Sequence, residues 1–330
     1  MDQLIAKFPD QLTEALEIGE NSNLRPHSEP INKIYVAGLG GSGIGANFAA
    51  EFVSDECKIP YLIGKGYHNP AYIDKNTIYV ASSYSGNTEE TLTALDGVKN
   101  SGAKIICVSS GGKLISIAKE RGYDYIELPN NWPSPRACLG YSVVMQLYIL
   151  YKLGFISRQK IDQIKSSIDL IKYDQDEIKS KAEKIAEIIN GKIPIIYTTD
   201  RMESVAVRFR QQINENSKYL AWHHVIPEMN HNELVGWRDV YENVAVVYFR
   251  NKDDYQRNAM RIDINKSVIA KYTNTVIEIY SKGQSTVEKA IYFVHLGDWV
   301  SWYLAQLRGV DALEVKVIDE LKSELGKSSF

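Results

Sequence analysis

Cysteine, excess basic charge and long apolar runs are all scarce in this chain of 330 residues, and each scarcity narrows what the protein can be. Only three cysteines occur, Cys57, Cys107 and Cys138, an odd number widely spaced. They build neither a disulfide framework nor a metal-ligand spacing, so reduced thiols in a cytoplasmic protein without a metal site are expected. Lys and Arg total 38 against 41 Asp and Glu, a net charge of −3. A general nucleic-acid surface needs clustered cations, so no nucleic-acid partner is expected. An anionic ligand would have to be held by local donors instead of by the field of the whole protein. No apolar run approaches the ~20 residues that span a bilayer, and the start, Met1-Asp2-Gln3-Leu4, lacks an apolar signal region. The full Gly-x-x-x-x-Gly-Lys-Ser/Thr pattern is absent, which argues against Walker-type ATP binding.

What is present is a regular alternation of short apolar runs and helical stretches. Hydrophobic content is 44% and charged content 24%, ordinary for a globular chain. The length predicts two domains, each able to bury a core, placed at 1–155 and 156–330. After a lead-in helix, strands are predicted at 34–37, 77–81, 104–108 and 125–128. Helices are predicted at 44–53, 89–99, 114–121 and 139–153. Strands that are nearly all apolar, separated by helices, imply a parallel sheet covered on both faces. Ligands of such sheets sit at the carboxyl ends of the strands. Residues 158–190 read as one or two connecting helices. The alternation then restarts, with strands at 193–197, 244–248 and 275–279 and a helix at 205–217. This looks like a second, degenerate copy of the same unit.

Five segments carry candidate chemistry. Gly38-Leu39-Gly40-Gly41-Ser42-Gly43 follows a strand and opens a helix, which lets backbone amides approach a ligand. A dinucleotide loop has the same look, but no acidic residue ends the next strand, Tyr61-Leu62-Ile63-Gly64-Lys65. Ser82-Ser83-Tyr84-Ser85-Gly86-Asn87-Thr88 supplies hydroxyls at a helix start. A capping arrangement, with Thr88 as N-cap and Thr91 three residues on, accounts for one or two of them. It does not account for Ser83, Ser85 and Thr88 together, which suit a phosphate. Leu128 to Arg136 contains three prolines, which stiffen it and would present Arg136 outward. Arg208 to Lys218 contains Asn214-Glu215-Asn216, and Pro227 to Trp237 contains Asn230-His231-Asn232-Glu233. A lone Glu or His is commonly a solvated salt bridge or a capped turn, and by themselves these two carry no more than that.

The Ser-x-Ser-x-x-Thr loop, preceded by the glycine-rich strand–loop–helix, resembles the sugar isomerase (SIS) domain. With Asn-Glu-Asn-x-Lys, Asn-His-Asn-Glu and Gly-Trp added, nearly the whole chain is similar to the bifunctional phosphoglucose/phosphomannose isomerases. The resemblance implies two doubly wound, flavodoxin-like parallel α/β domains in tandem. It implies reversible isomerisation of glucose 6-phosphate and mannose 6-phosphate with fructose 6-phosphate through a cis-enediol, with no cofactor. It makes Glu215 the base that moves the proton between C1 and C2, and His231 the shuttle that opens the sugar ring, reaching into the neighbouring subunit of a homodimer. It places Gly41, Ser42, Ser83, Ser85 and Thr88 on the phosphosugar and Arg136 near the enediol. A lysine from the last helix, Lys322 or Lys316, completes the set. The match is looser there, because Val310-Asp311-Ala312-Leu313-Glu314-Val315 stands where relatives often read Val-Asp-Pro-Thr-Pro-Val. A non-catalytic phosphosugar sensor is the rival, although no basic helix-turn-helix segment accompanies these motifs. An amidotransferase would need a glutaminase domain that is absent from this sequence.

Overall fold

The structure, a computed structural model, describes residues 1–327. In chain order the elements are helices α1 (Asp2–Ala6) and α2 (Phe8–Asn21), strand β1 (Lys33–Ala37), helix α3 (Gly40–Val53), strands β2 (Tyr61–Gly64) and β3 (Thr77–Ser82), helix α4 (Glu89–Gly97), strand β4 (Lys104–Ser109), helix α5 (Gly112–Arg121), strand β5 (Asp124–Glu127), and helices α6 (Leu139–Lys152), α7 (Gln159–Tyr173) and α8 (Gln175–Ile189). There follow strand β6 (Ile193–Thr199), helix α9 (Glu203–Ser217), strands β7 (Trp222–Ile226) and β8 (Val244–Arg250), helix α10 (Gln256–Ile269), strand β9 (Val276–Tyr280), and helices α11 (Thr286–Leu307) and α12 (Lys316–Leu325). The chain divides into two compact units. One holds Ala6–Tyr173 and Gly283–Tyr292; the other holds Met1–Ile5, Asp174–Lys282 and the residues from Phe293 onward. Among the described residues no helix is long and apolar enough to cross a membrane.

The first unit is built on a five-stranded parallel sheet in the order β2-β1-β3-β4-β5. Its central strands are buried along their length because they are covered on both faces, which is why their sequences run apolar without alternating. Helix α6 is buried at every position from Leu139 to Leu150, lying between α2 and α3. The second unit carries a four-stranded parallel sheet, β7-β6-β8-β9. Its order repeats the first four positions of the first sheet. A paired tyrosine marks the repeat. Tyr35 of β1 lies in register with Tyr79 of β3, their rings 5.5 Å apart. Tyr197 of β6 lies in register with Tyr248 of β8, their rings 5.4 Å apart.

Strand β7 was not anticipated, because its two histidines, in Trp222-His223-His224-Val225-Ile226, break the apolar run. In both units the crossover between the second and third strands lacks a long helix. Between β7 and β8 the chain makes only two 3₁₀ turns, Glu228–His231 and Glu233–Gly236.

Candidate functional site

Three loops leave the carboxyl edge of the first sheet, after β1, β3 and β5, and they lie against one another. The β3 loop is the best ordered by its own hydrogen bonds. Ser83, only 3% exposed, places its hydroxyl 2.7 Å from that of Thr88 and accepts from the Gly86 amide at 3.2 Å. Ser85 accepts from the Asn87 amide at 3.3 Å. Thr88 holds the N-cap position of α4, yet its side chain makes no capping bond. The simplest structural use of that hydroxyl is therefore not the one adopted. The first amides of α4 have no side-chain cap, and the partial positive charge of the helix start faces the loop.

The β4 loop, which the sequence did not single out, holds this loop in place. The Ser110 amide donates to Tyr84 O at 2.9 Å and the Leu114 amide to Gly86 O at 3.0 Å. The Lys113 amide donates to Asn87 Oδ1 at 3.1 Å. Gly86 takes φ +70°, and a Cβ there would lie 1.9 Å from Gly111 O, so only glycine permits this approach. The hydroxyl- and glycine-rich run Ser109-Ser110-Gly111-Gly112 was the available signal. The β5 loop is tied in as well, since the Tyr84 hydroxyl donates to Pro129 O at 2.7 Å.

Gly41 opens α3, whose N-cap Leu39 likewise provides no side-chain cap. A Cβ on Gly41 would stand 3.1 Å from Pro135 O and 3.9 Å from the Arg136 Cα, so the β1 and β5 loops meet here. Ser42 is buried, and its carbonyl accepts from Ser142 at 3.2 Å. Arg136 does not point outward as the prolines suggested. It sits on a 3₁₀ turn, Pro135–Ala137, and is only 8% exposed, while Pro135 takes the solvent side. The structure thus gathers Gly41, Ser83, Thr88 and Arg136 onto loops that touch or brace one another.

The second unit presents Glu215 and His231 by a different device. Glu215 lies near the end of α9, half-buried. Its neighbours all turn inward. Asn216 Nδ2 donates to Ser301 Oγ at 2.9 Å, the Ser217 hydroxyl to Ser301 O at 2.7 Å, and Asn214 Nδ2 to Tyr219 O at 2.7 Å. Lys218, at φ 52°, ends the helix and donates to the Glu215 carbonyl at 2.6 Å. Deeper along α9, the Arg208 guanidinium pairs bidentately with Asp298, at 3.1 and 2.8 Å. The Asn-Glu-Asn-x-Lys string is thus a helix end bolted to α11 through Asn216 and Ser217, with the half-buried Glu215 and Lys218 on either side of them in the chain.

His231 is exposed, on the first 3₁₀ turn after β7. Glu215 and His231 lie at opposite ends of β7 along the chain, a five-residue strand spanning roughly 15 Å. Lys316 and Lys322 stand on α12, exposed, and the side chain of Lys322 has no hydrogen-bond or ion-pair partner among the described residues.

Two family descriptions match the chain. Residues 29–135 match the SIS domain, and residues 178–325 match the bacterial phospho-glucose isomerase C-terminal SIS domain. A bifunctional phosphoglucose/phosphomannose isomerase from Caldicellulosiruptor bescii is 40% identical, over 99% of both chains. Another, from Aquifex aeolicus, is 36% identical over 90% of this chain and 92% of its own. This chain belongs to the bifunctional phosphoglucose/phosphomannose isomerase family. Among solved structures, the C-terminal domain of glucosamine-fructose-6-phosphate aminotransferase from Francisella tularensis aligns with a TM-score of 0.74 at 15% identity, covering 94% of this chain and 96% of that one. Glucosamine-6-phosphate deaminase from Thermotoga maritima aligns at 0.68 and 13%, covering 94% and 96%. At such identities the likeness speaks to the two-sheet fold alone. The two matched segments of this isomerase-family chain contain every candidate residue except Arg136, which follows the first segment directly.

Proposed function

We propose that this chain catalyses the reversible isomerisation of glucose 6-phosphate and mannose 6-phosphate with fructose 6-phosphate. The observation that carries the reading is the β3 loop. Its Ser83 and Thr88 hydroxyls lie 2.7 Å apart at a helix start without a side-chain cap. Such a site suits a phosphate dianion, which accepts from hydroxyls and amides and is favoured by the helix dipole. Ser85, Ser42 and the Gly41 backbone are assigned to the same anchor. Membership of the isomerase family supplies the reaction class.

In this scheme the His231 imidazole moves the ring proton that opens the bound sugar. The Glu215 carboxylate then removes the proton from C2 of the aldose, giving a cis-enediolate that becomes the cis-enediol as O1 takes up a proton, and it delivers its proton to C1 while O2 gives up its own, which leaves the ketose. One base on one face is enough, because the proton leaves and comes back on the same side. Arg136 lowers the cost of the negative charge on the enediol oxygens, and Lys322, or Lys316, serves beside it. Glucose 6-phosphate and mannose 6-phosphate differ only at C2 and share the enediol, so rotation about C2–C3 lets one base serve both.

The separation of Glu215 and His231 along β7 favours a homodimer in which each His231 serves the partner's Glu215. Its exposure in the single chain fits that arrangement. A cytoplasmic setting goes with such a substrate. The direct test is a coupled assay on fructose 6-phosphate that scores glucose 6-phosphate and mannose 6-phosphate separately. A folded dimer that forms neither would sink the proposal. A sensor would keep its phosphosugar-induced rise in melting temperature in Glu215→Gln and show no turnover in either form.

A further inference from the structure

The four side chains of Asn230-His231-Asn232-Glu233 have four different fates. Asn230 Nδ2 donates to Asn265 Oδ1 at 2.7 Å, and its oxygen accepts from Arg261 Nη1 at 3.3 Å. Asn232 Nδ2 donates to Glu228 Oε1 at 2.9 Å, and its oxygen accepts from the Glu233 amide at 2.6 Å. Glu233 accepts from the Tyr197 hydroxyl. His231 alone is exposed and without a hydrogen-bond or ion-pair partner among the described residues. A segment with no crossover helix needs such anchors, since two short 3₁₀ turns cannot hold a side chain still by themselves.

The anchors differ in kind. Met229, on one side of His231, and Trp237, on the other, are buried in the core beside β6, β7 and β8. Between them, Glu233 provides the polar tie to the central strand. Tyr197 lies on β6 and is fully buried. Its hydroxyl donates to Glu233 and accepts from Trp237 Nε1 at 3.2 Å, so one atom joins the strand to both ends of the second 3₁₀ turn. Burial, and then the Glu233 charge, push this hydroxyl far above the ordinary tyrosine range, so it stays a donor at any working pH. Glu233 also borders a cavity of about 320 Å³ lined by Trp222, Trp237 and Tyr241, which offers the carboxylate no cation.

We infer that Tyr197 and Glu233 are positioning residues for His231, fixing the loop that presents it for sugar-ring opening. The inference rests on the ring-opening role proposed for His231. It assigns the last residue of the tetrapeptide a task distinct from the chemistry. Loss of the tie leaves the phosphate loop and Glu215 untouched, so it should slow ring opening and nothing else.

A substrate that cannot close its ring separates the two steps. Fructose 6-phosphate closes through its 5-hydroxyl, so 5-deoxyfructose 6-phosphate is obligately open-chain. With the full-length enzyme, Tyr197→Phe and Glu233→Ala should each lower kcat on fructose 6-phosphate about tenfold and leave 5-deoxyfructose 6-phosphate within twofold of wild type. Glu233→Gln keeps an oxygen that accepts from Tyr197 and should restore most of the rate, with an unchanged melting temperature. His231→Ala should show the same split more strongly. Equal losses on both substrates, or no loss on either, would overturn the inference. If His231→Ala shows the split and Tyr197→Phe and Glu233→Ala do not, the positioning role falls while the proposed reaction stands. If His231→Ala shows no split although wild type turns over both sugars, the ring-opening role falls and the inference with it.

Discussion

Gly86→Ala is the sharpest single perturbation of the phosphate loop. The residue holds φ +70°, and its new Cβ would lie 1.9 Å from Gly111 O and 2.7 Å from Ser109 Oγ. The left-handed conformation costs an alanine about 1–2 kcal/mol. Relieving the clash requires backbone movement, typically about 1–3 kcal/mol more. The sum, about 2–5 kcal/mol, corresponds to a fall in melting temperature on the order of 10 °C for a unit of this size. The movement cannot stay local. The Gly86 amide bonds Ser83 and its carbonyl bonds the Leu114 amide at 3.0 Å, so shifting it displaces the Ser83–Thr88 pair. The Michaelis constant for fructose 6-phosphate should therefore rise at least about tenfold in steady-state assays, with kcat changing less. Gly66→Ala is the control, since nothing lies within 4 Å of a Cβ there. If Gly86→Ala matches that control in both melting temperature and Michaelis constant, the two-loop account of the site is wrong.

Glu215→Gln should lower kcat by about a thousandfold or more, the scale of losing a general base, while substrate-induced stabilisation persists; isothermal titration with fructose 6-phosphate checks the second half. His295 is fully buried on α11, and burial, then Lys179, lower its pKa to about 3. The unfolded chain protonates this histidine near the ordinary value of 6.5 while the folded one stays neutral, so stability is complete above that pH and is lost as pH falls toward about 3. The slope approaches about 1.4 kcal/mol per pH unit, and His295→Gln should flatten it in urea titrations between pH 6 and 4. Lys104 and Asp124 form a buried pair at 2.6 Å. Burial raises the Asp124 pKa, but Lys104 and Arg25 outweigh it and hold the carboxyl below its ordinary value. That stabilisation is present above the ordinary aspartate range and is lost as pH falls through the lowered value. Lys104→Met should cost about 3 kcal/mol at neutral pH, the low end for a broken buried pair because Arg25 remains; the difference from wild type should shrink in strong acid.

Chemical identity was legible in the sequence wherever it was written in consecutive residues. The apolar runs announced β1, β3, β4, β6 and β8, because strands buried on both faces must be apolar throughout. The hydroxyls from Ser83 to Thr88 and the strings around Glu215 and His231 were visible for the same reason. Strand β7 was not, since an edge strand with an exposed Trp222 and two histidines has no such signature. The burial of Arg136 was not legible because its turn packs beside Gly41, almost a hundred positions earlier in the chain, and no local rule reports on that.

The sequence by itself determined the class of fold, the phosphate-loop hydroxyls and the family to which the chain belongs. These depend on residue type and short spacing, which survive any arrangement in space. Only the tertiary structure decided that the Thr88 hydroxyl turns to Ser83 instead of capping its helix, that the β4 loop braces the β3 loop, and that Tyr197 reaches Glu233. The first depends on the path of one loop, and the other two join atoms whose separation is set by strand order and register, which consecutive residues do not encode. The structure also explains the flanking asparagines of the Glu215 and His231 motifs. They hold the chain on either side of a half-buried carboxylate and an exposed imidazole.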